Sequence, residues 1–180
     1  MINMSTEELI NNYGTEICEK KFEDIELHIM GLDEISFSDC EFYKCTICLS
    51  DLEQIEMDNC TFDNSHFQVS LNDPVIGVEN CTFQECNFDN IRIEGFTYQS
   101  DITDSIFCKC NFKKLNVSSD ISVQGGKICD SKIEYMACKI NMLLAVEVSN
   151  CVADEIELDA AVLKCKFDNE EVKSLVTRGN

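Results

Sequence analysis

Thirteen cysteines, two histidines and 34 acidic side chains are the residues of this 180-residue chain that could do chemistry. Cys45-x-x-Cys48 and Cys108-x-Cys110 have spacings used by metal thiolates and redox pairs. His28 and His66 could act as bases or ligands. A Cys–His dyad would need one of them within hydrogen-bond reach of a thiol. Neighbouring carboxylates such as Asp51/Glu53 and Glu56/Asp58 could do acid–base work, if a cleft perturbed their pKa values. There is no G-x-G-x-x-G and no phosphate-cradling loop. What the rest can do depends on which way each side chain points, and so on the elements that carry them.

Those elements have a period of five. Phe42, Ile47, Leu52, Met57, Phe62 and Phe67 are bulky and apolar, and the same phase runs back through Phe37, Leu32 and Leu27 to Phe22. Two places before the later six stand Cys40, Cys45, Ser50, Ile55, Cys60 and Ser65. Five is neither a helix period nor plain strand alternation. In an extended segment residues two apart share a face. Each unit is therefore a short extended piece followed by two corner residues, and four right-angle corners close a square coil. A longer repeat agrees. Cys40-x-Phe42 recurs as Cys60-x-Phe62, Cys81-x-Phe83 and Ser105-x-Phe107, each followed by a second pair: Cys45/Ile47, Ser65/Phe67, Cys86/Phe88 and Cys110/Phe112. Equivalent residues stack coil on coil, and the prediction is an all-β solenoid.

This pattern resembles the pentapeptide-repeat family over about residues 20–168. The resemblance implies a right-handed quadrilateral β-helix. The chain departs from the common family pattern in using Cys, Ser or Ile where Ala is frequent, and in breaking register. Pro74 calls for a bulge or loop between Phe67 and Val78. Gly95–Asp104 is a second irregularity, and Gly125-Gly126 marks a turn.

The ends read as helical caps, which a solenoid needs to cover its open coils. Ser5-Thr-Glu-Glu8 is a capping box, so residues 1–19 form an N-terminal helical cap. Residues 169–180 form a C-terminal cap or tail: Val172, Leu175 and Val176 share one face of a helix, with Asp168 as N-cap. That helix would lid the last coil of a monomer or, as in some members of the resembled family, join two copies.

With the period in hand, the chemistry recedes. Nine cysteines (Cys40, Cys45, Cys60, Cys81, Cys86, Cys110, Cys138, Cys151 and Cys165) sit at or near inward positions, where a thiol is a small hydrophobe. The count is odd and no signal peptide is evident, so reduced thiols in a cytoplasm are expected. The register aims Cys48 at a corner, away from Cys45. His28 and His66 point outward with no outward Cys expected beside them. The carboxylates lie on convex walls. We therefore expect no catalytic residues, no metal and no cofactor, and no run of about 18 apolar residues exists to span a membrane.

Charge offers the remaining lead. The net charge is −20. Residues 1–108 hold 23 acids and four bases, and residues 109–180 hold 11 acids and ten bases. That sign excludes direct nucleic-acid binding as the main role. The expectation is a structural or protein-interaction module with an acidic surface, its partner a basic protein docking on the early coils through Asp51, Glu53, Glu56 and Asp58. The resemblance implies a sharper alternative: some pentapeptide-repeat proteins mimic duplex DNA, bind DNA gyrase and other type II topoisomerases, and protect bacteria from quinolones.

Overall fold

A computed structural model shows a parallel β-solenoid with one short helix. The structure describes residues 2–71, 75–79, 81–94, 102–103, 105–124, 127–144, 147–163, 166–168 and 171–177. Pro74, most of 95–104 and Gly125-Gly126 lie outside the described residues. The chain opens with β1 (Ile2–Met4), α1 (Thr6–Tyr13), β2 (Glu16–Cys18), β3 (Lys21–Glu23), β4 (Ile25–Ser38), β5 (Glu41–Tyr43), β6 (Thr46–Asp58) and β7 (Thr61–Asp63). It continues with β8 (His66–Leu71), β9 (Val75–Glu79), β10 (Thr82–Gln84), β11 (Asn87–Glu94), β12 (Ile102–Thr103), β13 (Ile106–Cys108) and β14 (Asn111–Gln124). It ends with β15 (Lys127–Cys129), β16 (Lys132–Leu144), β17 (Glu147–Ser149), β18 (Val152–Leu163), β19 (Lys166–Asp168) and β20 (Glu171–Thr177).

Two sheets result. One stacks the eight short strands β3, β5, β7, β10, β13, β15, β17 and β19, and the other has twelve strands wrapping the remaining walls. The registers confirm the phase. Phe22, Phe42, Phe62, Phe83, Phe107, Ile128, Val148 and Phe167 form one column. Leu27, Ile47, Phe67, Phe88, Phe112, Ile133, Ala153 and Val172 form a second. The bulge expected after Phe67 is a register shift, in which Leu49 pairs with Val69 but Ser50 with Leu71.

Stacking fills the coil. Phe42–Phe62, Phe62–Phe83 and Phe83–Phe107 are near-parallel with centroids 4.4, 4.7 and 4.6 Å apart. Phe67–Phe88 and Phe88–Phe112 stack at 5.0 and 4.8 Å. The two ladders meet at a tilt, as at Phe62–Phe67. Each ring pair adds about 0.5–1.5 kcal/mol beyond its area burial. The space left between Phe42, Ile47, Phe62 and Phe67 is too small for a water molecule.

The corners have their own chemistry. Asp39, Lys44, Asn59, Asn64, Glu85, Lys109, Asp130 and Asn150 all have φ of 50–54°, and each stands immediately before an inward Cys or Ser. Asn and Asp tolerate that left-handed conformation best. The inward residue then closes the corner. Cys60 Sγ donates to the Asp58 carbonyl at 3.3 Å, and Ser65 Oγ to the Asp63 carbonyl at 3.1 Å. The same group accepts from the coil before: Cys45 N–H donates to Ser65 Oγ, Cys60 N–H to Cys81 Sγ, and Cys110 N–H to Ser131 Oγ. Alanine cannot do this, which is the physical reason for Cys and Ser here.

The short N-terminal helix is present as α1, while β1 and β2 on either side of it pair with β4 as strands. Ser5 and Glu8 form the capping box, and Leu9 is fully buried. Thr6 Oγ1 donates to the His28 carbonyl at 2.8 Å and accepts from Met30 N–H at 2.9 Å, so α1 satisfies part of the edge of β4. The expected C-terminal helical turn is corrected: Glu171–Thr177 is a strand, parallel to β18. Val172 pairs with Ala153 and Leu175 with Ile156, and the same step of three recurs at Phe112/Leu115 and Ile133/Met136. That spacing, read as a helix face, is the coil's own. Val172, Val176 and Thr177 are β-branched and suit it.

Candidate functional site

All four predicted docking residues are exposed. Asp51 and Glu53 flank the buried Leu52, and Glu56 and Asp58 flank the buried Met57. Asp51 occupies a left-handed corner (φ 52°) at the register position of Gly31 (φ 66°). Asp58 pairs in register with Glu79 of the next coil and with Ser38 of the one before, while Glu56 lies between Ser36 and Gly77. Gln54 Nε2 donates to Glu56 Oε1 at 2.7 Å. The backbone register thus sets Asp58 opposite the strand position of Glu79, which the sequence reading did not include, and places Asp51 and Glu53 around a different inward residue.

A second outward patch was missed. His28 of β4 pairs in register with Cys48 of β6, and Cys48 with Gln68 of β8. His28 Nε2 is 3.3 Å from Glu26 Oε1, and Cys48 Sγ is 3.9 Å from the same oxygen and 3.5 Å from Gln68 Oε1. Gln68 Nε2 in turn lies 3.4 Å from His66 Nδ1. So Cys48 does not turn into a corner, and an outward thiol does stand beside a histidine, contrary to the sequence reading. The reason is local. Ile29 and Leu49 are buried, so strand alternation continues past Leu27 and Ile47, and the corner falls later, at Gly31 and Asp51. Ser50 is only half-buried in consequence. The missed signal is the alternation Leu27-x-Ile29 and Ile47-x-Leu49, a period of two inside a period of five. Burial, then the Glu26 carboxylate, push the Cys48 thiol up.

The other cysteines divide as a filled core requires. Cys40, Cys45, Cys60, Cys81, Cys86, Cys110 and Cys151 are buried. The side chains of Cys138 and Cys165 are outside the described residues. Its hydrogen bond with Cys60 and burial hold Cys40 far above the ordinary thiol range, and burial raises Cys45. Cys108 is half-buried, and its neighbour is not Cys110 of the CxC but Cys129 one coil on, with the sulfurs 2.7 Å apart. Asp130 Oδ2 lies 3.9 Å from Cys108 Sγ. Cys18, which the repeat phase left unassigned, is exposed.

No family model matches the chain, and no curated protein matches it. Among the described residues no helix is long and apolar enough to cross a membrane. The functional reading therefore rests on the coil and its walls.

Proposed function

We propose that the chain is a pentapeptide-repeat protein that works without catalysis, as a rigid cytoplasmic interaction module whose acidic wall receives a basic protein. The observation that carries this is the placement of Asp58 in register with Glu79, beside Glu56. Like charges one strand spacing apart are unfavourable in the isolated molecule, and a cationic partner relieves them. The filled axis between Leu27 and Phe67 supports a role for the walls of these coils over an internal chamber. A narrower form of the reading is mimicry of duplex DNA towards a type II topoisomerase, supported by the dense negative charge of residues 1–108.

The test compares wild-type protein with a Glu56→Lys/Asp58→Lys variant as bait in a lysate, with stepwise salt elution. The expected result is a basic partner held by wild type, released by salt and lost on the variant. A partner retained equally by both baits, or one indifferent to salt, overturns the acidic-wall reading.

A further inference from the structure

We propose that Glu26, His28 and Cys48 form a site for a borderline-soft divalent cation, zinc being the type case, on the outer wall of the first two coils. The carboxylate oxygen, imidazole nitrogen and thiol sulfur lie within 4.8 Å of one another. Their distances suit one metal. With bonds of about 2.1 Å to N and O and about 2.3 Å to S, a tetrahedral ion has an N···O edge of about 3.4 Å and an S···O edge of about 3.6 Å. The structure has 3.3 Å for His28 Nε2 to Glu26 Oε1 and 3.9 Å for Cys48 Sγ to Glu26 Oε1. Shifts of a few tenths of an ångström would bring these two edges to tetrahedral values, and the third edge, His28 to Cys48, lies within 4.8 Å.

The donor chemistry is selective. One thiolate with one imidazole favours zinc-like ions over calcium or magnesium, which prefer oxygen alone. The backbone is fixed on both sides: β4 and β6 pair through the site, and α1 pins the His28 carbonyl and Met30 N–H through Thr6. Such support is what a metal site needs from its scaffold. Three protein ligands leave a fourth position on the solvent side. Both histidines of the chain lie on this wall, with His66 Nδ1 joined through Gln68 to Cys48. The other thiol cluster fits less well. Cys108 and Cys129 sulfurs 2.7 Å apart are closer than the S···S edge of about 3.8 Å around a tetrahedral metal, so that pair would have to open.

Binding is read with Co²⁺ on the full-length, fully reduced protein, followed by Zn²⁺ displacement. The expected result is one equivalent giving tetrahedral d–d bands and a thiolate charge-transfer band. Cys48→Ser abolishes the charge transfer and His28→Ala weakens binding at least tenfold. A Cys108→Ser/Cys129→Ser double variant leaves the spectrum unchanged. Because the three side chains are half-buried and outward, both site variants should keep the wild-type circular dichroism. A second measurement needs no variant: Zn²⁺ should protect Cys48 from alkylation while Cys18 goes on reacting. Absence of tetrahedral bands, bands that persist in Cys48→Ser, bands lost with Cys108 and Cys129, or no protection of Cys48 would each overturn the site.

Discussion

At the scale of the residue, the period of five is a statement about which atoms are inside. Phe62 is fully buried between Phe42 and Phe83, whereas Asp63 beside it is half-buried. Phe62→Asp should cost more than about 4 kcal/mol or prevent folding, because it buries a charge without a partner. Asp63→Ala should leave the melting temperature nearly unchanged. The inward cysteines give a finer test. Cys81 Sγ accepts the Cys60 N–H. Cys81→Ala leaves that buried donor unmade, at about 1–3 kcal/mol. Cys81→Ser should recover much of the loss, since Ser105 already accepts the Cys81 N–H in the next coil. Urea melts of the two variants compare them directly, and equal midpoints would remove hydrogen bonding as the reason for Cys and Ser. Thiol labelling follows the same geometry. Cys18 should react first, Cys48 and Cys108 next, and Cys40, Cys45 and Cys60 only after denaturation. The inward set was legible because residues two apart share a face. Cys18 and Cys129 were not, because they sit where the five-residue phase gives no inward position.

At the scale of the element, corners and caps decide the coil. Asn59 adopts φ 50° and its Nδ2 donates to Asp39 Oδ1 at the stacked corner. Asn59→Val puts a β-branched residue into a left-handed conformation and removes that bond. A loss of about 2 kcal/mol is expected in a urea melt, against about 1 kcal/mol or less for Asn59→Gly. Comparable losses for the two would mean the corner's φ is not the constraint. The recurrence of Asp or Asn just before Cys or Ser was visible in the sequence, but only the backbone angles give it meaning. The N-terminal helix was legible for the opposite reason: a capping box is local, and nothing tertiary needs to be known to recognise it. Its docking was not legible, since Thr6 reaches strand β4 more than twenty residues away. Thr6→Val should speed hydrogen exchange at the Met30 amide while leaving that of Phe62 unchanged. The C-terminal strand was misread because a step of three across a solenoid corner and a step of three along a helix look alike in the chain. Only the open edge of β18 distinguishes them.

At the scale of the whole molecule, charge density decides how far DNA mimicry can extend. Seven spacings of about 4.8 Å separate the first and last of the eight short strands, so the rod is about 34 Å long. Duplex DNA carries one charge per about 1.7 Å, or about 20 over that length. The chain's net −20 matches in total. Its distribution does not. Residues 1–108 reach only the fifth short strand, about 19 Å along, where duplex DNA would carry about 11 charges. Their 23 acids against four bases exceed that, while residues 109–180 are nearly neutral. A partner with a groove made for a long duplex would find charge under one end alone. The contact should therefore be short, confined to the early coils, and steep in salt. Two separate reversals locate it: Glu56→Lys/Asp58→Lys beside Met57, and Asp51→Lys/Glu53→Lys beside Leu52. Each pair has acidic neighbours on an adjoining coil, Glu79 in register with Asp58, and Asp33 and Glu34 alongside Glu53, so the reversal that weakens binding by tenfold or more and flattens its salt dependence marks the contact. Supercoiling by gyrase decides the narrow reading. Inhibition by wild-type protein, or a changed response to quinolone, that disappears with Glu56→Lys/Asp58→Lys supports mimicry. Unchanged supercoiling and quinolone response at excess protein end it, and the plain interaction-module reading then stands.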